Sequence, residues 1–152
     1  MKSAYDCLAR HACSPHNSIF KNLWQAKAFP NMLTITWRVL MDRIPTRTNL
    51  SRRGVVTPLY CVMCQASDES SQHLFVECII AQLVWAQCFR WIGIVFFHHN
   101  DLMSHFENFV LPHGTYKQNL VWKCMWAIVW CIWEHRNHIA FKQGVVDAEV
   151  IF

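Results

Sequence analysis

Four potential metal ligands lie within one short stretch of the chain, and their spacing constrains the fold more than any other feature. The pattern is Cys61-x2-Cys64-x8-His73-x4-Cys78. Structural zinc sites use four soft or borderline ligands in a tetrahedron, and three cysteines with one histidine are a common set. A Cys-x2-Cys turn can present both sulfurs to one ion, and the polar loop after it can fold back to deliver the histidine. The sequence therefore predicts one structural Zn²⁺ ion held by these four side chains.

The pattern also argues against a catalytic metal site and leaves one alternative to zinc binding open. An ion with four protein ligands has no open position for water, so we expect a structural site and no catalytic residues. The alternative is a buried cysteine cluster in which His73 caps the following helix. Five cysteines lie outside the pattern, and their spacing matches no zinc motif: Cys7, Cys13, Cys88, Cys124 and Cys131. Cys88 and Cys131 are interpreted as core thiols, and a second site with Cys7, His11 and Cys13 is the weaker hypothesis.

The hydrophobic periodicity predicts a mainly α fold, a small helical domain organised around the zinc site with little or no strand. The chain has 152 residues, of which 53% are hydrophobic and 16% charged, so it can bury a core of its own. We expect a helix after Pro30 that ends at Pro45, and then a short helix from the N-cap Thr46 to Arg53, closed by Gly54. The first of these helices has a predicted apolar face formed by Leu33, Trp37, Leu40, Met41 and Ile44.

Two further helices are predicted beyond the cysteine pair. One starts at Ile79 and is closed by Gly93, with a predicted core face formed by Ile80, Leu83, Val84, Cys88 and Trp91. The other runs from about residue 119 to 141, and its two apolar stripes predict burial on much of its circumference. The resulting division is a lead-in segment (1–19), a zinc-binding domain (20–92), an irregular linker (93–118) and a tryptophan-rich helix with a tail (119–152).

The charge of the chain is concentrated in its first part. The net charge is +4, yet residues 1–60 hold nine Lys or Arg residues and only two acidic ones. Such a basic segment suits contact with a polyanion such as single-stranded RNA or DNA, and the alternative is a solvated helix face. The candidate phosphate contacts are Arg38, Arg43, Arg47, Arg52 and Arg53. Tyr60 or Phe75 can stack on a base, unless both rings simply pack against the metal site.

Other sequence features bear on location and on alternative sites. Residues 1–12 contain no apolar stretch of the kind found in secretion signals, so we expect an intracellular protein of the nucleus or cytoplasm that is not secreted. The apolar segments 79–97 and 120–133 carry polar residues or are short, and they are interpreted as buried helices without membrane contact. No motif indicates a small-molecule substrate. The remaining histidines of the irregular stretch are expected at the surface: His98, His99, His105 and His113.

Five short runs around the cysteine pattern resemble one known family. The runs are WRVLMDRIPTRTNLSRRGV, CVMC, DES, HLFVEC and AQLVW, and the resemblance extends over about residues 20 to 92. They resemble the reverse-transcriptase zinc-binding domain of plant non-LTR (LINE-type) retrotransposon polyproteins, here as a free-standing fragment. The later run WAIVWCIWEHRNHIAF resembles the segment that commonly follows this domain. Trp24, Trp37 and Trp85 also match family positions, whereas Ile79 departs from the family's frequent proline.

The resemblance implies a zinc-binding module that assists nucleic-acid handling by a neighbouring polymerase and that has no catalysis of its own. It also implies that Cys61, Cys64, His73 and Cys78 are the ligands. An alternative is a protein-interaction module in which the tryptophan-rich helix docks on a reverse transcriptase or ribonuclease H domain. An inert remnant of a retroelement is a further alternative. No polymerase or nuclease motif is present in the sequence, so we expect no enzyme activity.

Overall fold

The fold is a small assembly of helices in which the metal-ligand segment follows the third helix and leads into the fourth. The computed structural model describes residues 17–26, 28–93, 95, 99, 101–107 and 116–142. These residues contain helices but no strand, and one isolated antiparallel bridge joins Tyr60 to Asp68. This confirms the predicted mainly α fold. The elements are α1 (Asn17–Gln25), α2 (Pro30–Leu40), α3 (Arg47–Arg52), a π-helix (His73–Glu77), α4 (Ile79–Ile92), α5 (Leu102–Glu107) and α6 (Tyr116–Lys142).

Local chemistry at the helix ends explains most of the element boundaries. Pro30 occupies the first turn of α2, where its missing N–H costs nothing. The Thr46 hydroxyl caps α3 by accepting a hydrogen bond from the backbone N–H of Asn49 at 3.3 Å. Gly54 and Gly93 follow α3 and α4 with φ angles of 81° and 76°, which a residue without a side chain adopts easily. These starts and stops agree with the sequence-based prediction.

The end of α2 differs from the prediction. The helix ends at Leu40, and Pro45 lies beyond it in the connection to α3. The chain turns at Asp42, which has a left-handed backbone with φ of 49°. This conformation is held by α3, because the side-chain amide of Asn49 donates to both the carbonyl oxygen and the carboxylate of Asp42. The helix therefore ends before Pro45, at a turn that α3 stabilises.

The predicted core faces of α2 and α4 are only partly correct. In α2 the buried residues are Thr36, Val39 and Leu40, whereas Met41 is exposed and Leu33 and Trp37 are half-buried. In α4, Val84 and Cys88 are buried as predicted, but Leu83 and Trp91 are exposed and Trp85 and Phe89 are buried instead. Both helices carry apolar residues around most of their circumference. Periodicity alone therefore could not select the face that packs.

The long helix α6 lies against the rest of the domain and completes its core. It packs against α2 and α4, and both predicted apolar stripes are buried. One stripe contains Val121, Met125, Ile128 and Ile132, and the other contains Trp122, Trp126, Val129 and Trp133. These side chains belong to the same hydrophobic core as α2, α4 and the metal-ligand segment. The buried tryptophans of α6 are therefore internal packing residues and are not available as a docking surface.

An aromatic cluster joins α4, α5 and α6. Trp85 is fully buried, and its indole N–H donates to the carbonyl oxygen of Phe75 at 2.7 Å. The imidazole of His105 makes an edge contact with Trp85, with ring centroids 4.7 Å apart. His105 is fully buried, so its expected surface position is wrong. The same contacts order α5, so the segment 93–118 is not irregular throughout.

Some sequence-based predictions lie outside the described residues. These are the second metal site with Cys7, His11 and Cys13, most of the lead-in segment, His98, His113 and the tail after residue 142. His99 is described and is half-buried. Among the helices of the described residues, none combines the length and the apolar character that crossing a membrane requires.

Candidate metal centre

The four predicted ligands meet in one small cluster. Cys61 and Cys64 lie in a tight turn after the connecting segment 55–60, His73 begins the π-helix, and Cys78 is the N-cap residue of α4. Their ligand atoms all lie within 4.8 Å of one another, and three of the four side chains are buried. The turn is closed by a hydrogen bond from the backbone N–H of Gln65 to the Cys61 carbonyl oxygen at 2.9 Å.

The π-helix explains how His73 and Cys78 can face the same point. In an α-helix, residues five apart point about 140° away from each other. Here the backbone N–H of Cys78 donates to the carbonyl oxygen of His73 at 2.7 Å, which widens the turn to five residues. The widened turn brings the two side chains back to one side. This element was not predicted, because the predicted helix began only at Ile79.

The distances within the cluster fit a tetrahedral zinc ion. The sulfurs of Cys61 and Cys78 are 4.0 Å apart, and two sulfurs on one zinc ion are separated by about 3.8 Å. The sulfur of Cys64 lies 3.1 Å from Nε2 of His73, somewhat closer than the roughly 3.5 Å expected when both atoms ligate zinc. Three sulfurs and one imidazole nitrogen form a donor set that zinc prefers.

Contacts among the four groups shift their pKa values in opposite directions. A hydrogen bond with Cys78 lowers the pKa of Cys61 to about 3 despite burial, with His73 contributing in the same direction. The same bond, together with burial, raises the pKa of Cys78, although the backbone N–H groups of Ala81 and Ile80 oppose the rise. A hydrogen bond with Cys61 raises the pKa of His73 to about 9, against the effect of burial. The cluster therefore shares protons that a metal ion must displace.

The two ring nitrogens of His73 face different groups. Nδ1 of His73 lies 3.9 Å from the Glu77 carboxylate, one helical turn further along the π-helix. Nε2 points to Cys64. Metal-binding histidines commonly direct their second nitrogen to an acceptor, which fixes the ring and raises its basicity. Nε2 is therefore the nitrogen placed to bind the ion.

Glu69 holds the loop between the two ligand pairs, and no role for it was predicted. Its carboxylate is fully buried and accepts hydrogen bonds from the backbone N–H groups of Arg47 at 3.0 Å and Val62 at 3.3 Å. Arg136 of α6 donates to the same carboxylate from Nε at 3.1 Å and from Nη2 at 2.6 Å. The sequence indicated only a polar loop around Glu69. Its buried partner Arg136 lies 67 positions away, so no sequence pattern near Glu69 indicates the pairing.

The residues predicted to contact nucleic acid differ in their surroundings. Phe75 is fully buried, so its predicted stacking on a base is wrong, and its packing against the core is the correct alternative. Tyr60 is 61% exposed. Arg47 is half-buried, and its Nη1 donates to the Tyr60 carbonyl oxygen at 2.6 Å. The other four arginines are exposed around the connection between α2 and α3: Arg38, Arg43, Arg52 and Arg53.

Zinc binding to the chelator-treated protein is expected to release protons at neutral pH. His73, with a pKa of about 9, and Cys78, with a raised pKa, both hold a proton at that pH and must lose it to bind metal. Affinity for zinc should therefore rise with pH. Calorimetric titration in buffers of different ionisation enthalpy measures the released protons. A binding enthalpy that is the same in every buffer would contradict proton displacement at this cluster.

Comparison with known proteins agrees with the geometry of the cluster. A family model described as zinc-binding in reverse transcriptase matches residues 1–85, which is more than half of the chain and includes all four clustered side chains. No curated protein and no solved structure matches the chain. The Cys3His cluster and the family match together identify one structural zinc site. The chain therefore belongs to the family of zinc-binding domains of reverse transcriptases.

Proposed function

We propose that this chain is a non-catalytic module that uses its zinc ion, held by Cys61, Cys64, His73 and Cys78, to present an arginine surface to single-stranded nucleic acid. The observation that carries this proposal is the group of exposed arginines at the α2–α3 connection. We call it the arginine corner, and it consists of Arg38, Arg43, Arg52 and Arg53. The family's link to reverse transcriptase gives a nucleic-acid polymerase as the working context.

Backbone contacts bring the members of the arginine corner together. The backbone N–H of Arg43 donates to the carbonyl oxygen of Arg38 at 2.7 Å. Nη2 of Arg53 lies 3.4 Å from the carbonyl oxygen of Arg43. Three guanidinium groups thus extend from neighbouring points of the backbone. A planar guanidinium donates two parallel hydrogen bonds to a phosphate, so this arrangement suits a flexible phosphate backbone.

Asp42 is the single acidic residue between positions 38 and 53, and its charge is already engaged. Burial raises the pKa of Asp42, but hydrogen bonds from Ser71 and Asn49 and the charge of Arg52 outweigh that effect and leave its pKa lowered. One carboxylate oxygen accepts from Ser71 at 2.6 Å, and the other lies 3.3 Å from Nη1 of Arg52. Asp42 therefore neutralises one arginine of the corner and leaves the remaining three for phosphate.

The chemistry of the metal site supports a role without catalysis. When three cysteines and one histidine fill a tetrahedral zinc ion, no position remains for a water molecule or a substrate. The ion then acts by fixing the turn, the π-helix and the start of α4 against one another. This rigid support keeps the α2–α3 connection in place, because Ser71 beside the π-helix donates to Asp42.

Binding to single-stranded nucleic acid is expected to weaken steeply with salt. Three neutralised phosphates predict a slope of about −2 for log affinity against log salt concentration on a single strand. Changing Arg38, Arg43 and Arg53 together to glutamine should flatten that slope and leave the zinc content unchanged. Fluorescence anisotropy with a labelled oligonucleotide across a salt series provides the measurement.

A matched control removes the same number of exposed positive charges elsewhere on the domain. Arg90, Lys123 and Lys142 are exposed on α4 and α6 and lie outside the arginine corner. Their joint replacement by glutamine should change the salt slope much less. Equal effects of the two triple changes would mean that binding depends on net charge alone. Absence of binding at low salt would refute the proposed function.

A further inference from the structure

A pocket beside the zinc-ligand turn has the size and the lining expected for one nucleotide. Its volume is about 420 Å³, and it lies between the turn and α6. Pro58, Tyr60 and Val62 form one side, and Ile139 and Ala140 of α6 form the other. Pockets of about 300–1,000 Å³ with apolar walls and a few polar groups are typical of small-ligand sites. The apolar part of this lining suits a flat aromatic ring, and the polar part offers hydrogen-bond partners.

Arg47 supplies a fixed positive charge at this pocket. Its Nη1 donates to the carbonyl oxygen of Tyr60 at 2.6 Å, and its backbone N–H donates to Glu69 at 3.0 Å. The backbone of Arg47 and the tip of its side chain are therefore both anchored beside the pocket. Within the described ranges, Nε and Nη2 of Arg47 have no hydrogen-bond partner. They remain able to donate to an anionic group such as a phosphate.

Gln65 adds an amide group, and its backbone conformation is unusual. Gln65 lines the pocket and has a φ of 56°, one of two positive φ values at non-glycine positions in the part of the chain that the structure describes. Strained backbone conformations of this kind concentrate at binding sites. The zinc-ligand turn holds this conformation, since the N–H of Gln65 bonds to Cys61. Its side-chain amide has both a donor and an acceptor, as recognition of a base edge requires.

The geometry points to a base-binding pocket in which one unpaired base of a single strand stacks on Tyr60, hydrogen-bonds to Gln65 and places its phosphate on Arg47. This inference rests on the proposed function and adds a base contact to the phosphate contacts of the arginine corner. Tyr60 is 61% exposed, so its ring is accessible to a partner. The positive charge of Arg47 and of the first sixty residues favours a polyanion with flat bases over an apolar peptide.

The test compares two single strands that carry the same phosphates. One is a labelled oligothymidylate, and the other is an abasic strand of equal length. Fluorescence anisotropy at low salt should show tighter binding of the oligothymidylate. Tyr60→Ala should weaken that binding roughly tenfold, because stacking on one aromatic side chain contributes about this much. Binding of the abasic strand should stay unchanged.

Further variants separate the pocket from general effects on folding. Tyr60→Phe keeps the ring and should bind like the original protein, whereas Ala140→Trp fills the pocket from α6 and should lose the preference for bases. Trp91→Ala removes an exposed aromatic side chain that does not line the pocket and should have no effect. Zinc content and circular dichroism of each variant report on its fold.

The outcomes distinguish this inference from the function on which it rests. Equal affinity for both strands, or an unchanged preference in Tyr60→Ala and Ala140→Trp, would overturn the base-binding pocket and leave phosphate binding in place. Displacement of the oligothymidylate by polyglutamate with equal potency would also overturn it, because an acidic peptide has no base. Failure of both strands to bind would refute the proposed function itself.

Discussion

We expect Cys64→Ser to release the zinc ion and to unfold residues 55–92, whereas Cys88→Ser should remain folded with zinc bound. A structural zinc site contributes roughly 10 kcal/mol or more to folding. Here the ion joins the turn, the π-helix and the first turn of α4, in addition to the hydrophobic core that they share and the hydrogen bonds of buried Glu69. Loss of one sulfur opens the coordination shell, and a serine hydroxyl is a poor replacement for a thiolate.

Cys88 provides a matched control because it is also a cysteine near the same core. It is buried on α4, and burial raises its pKa to about 11, so it stays a neutral thiol. Its replacement by serine places a hydroxyl in an apolar site, which costs about 1–2 kcal/mol. Elemental analysis of the purified proteins should give one zinc per chain for the original and for Cys88→Ser. Equal shifts of the melting temperature in the two variants would refute the ligand assignment.

The second large effect is expected at the buried ion pair between α6 and the metal-ligand loop. Arg136→Met should lower the free energy of unfolding by about 3–5 kcal/mol, because it leaves a buried carboxylate without its positive partner. The side chains of Arg136 and Glu69 are only 4% and 0% exposed, and Nη2 lies 2.6 Å from the carboxylate. The pair is the polar link between the long helix and the loop that carries the zinc ligands.

Arg52 offers a matched comparison with the same substitution. Its Nη1 lies 3.3 Å from the Asp42 carboxylate, but the two side chains are 66% and 53% exposed. Surface pairs of this kind contribute about 0–1 kcal/mol, since water screens the charges. Urea denaturation of Arg136→Met and Arg52→Met measures the contrast. Similar losses of stability would mean that the buried pair is no more important than a surface contact.

The effect of Arg136→Met on local opening of α6 can be measured separately from its effect on the free energy of unfolding. In Arg136→Met, amide hydrogen exchange should increase in α6 and in the loop around Glu69. The effect should spread to the zinc site, because Glu69 also accepts the backbone N–H of Val62 between the two turn cysteines. Unchanged amide exchange in the loop would mean that the metal centre stays folded without the contact to Arg136.

Local sequence signals predicted the ligand set and most helix ends. The four ligands Cys61, Cys64, His73 and Cys78 lie within 18 residues of one another. The helix caps at Thr46 and Gly93 likewise involve only residues close in sequence. These features follow from backbone sterics and side-chain chemistry within a few positions, which the sequence displays directly. Burial of both stripes of α6 was also predictable, because a helix with apolar residues around much of its circumference buries most of that circumference.

The packing of the helices required the tertiary structure. Leu83 and Trp91 are exposed while Trp85 is buried, although all three are apolar residues on α4. A helix that is apolar around its circumference has no unique inward face in sequence, and its neighbours select one. The burial of His105 also depends on another helix, because its ring packs against Trp85 of α4.

The sequence by itself determined that this chain binds one zinc ion within a mainly helical domain, because the donor spacing and the helix signals are local. Only the tertiary structure decided how that site is supported. The π-helix that aligns His73 with Cys78 is a backbone geometry that the donor spacing does not specify, and the pairing of Glu69 with Arg136 joins residues 67 positions apart. A buried carboxylate is stable only where the fold assembles its donors around it. No local sequence pattern predicts this buried ion pair, because Glu69 and Arg136 come together only when α6 packs against the zinc-ligand loop.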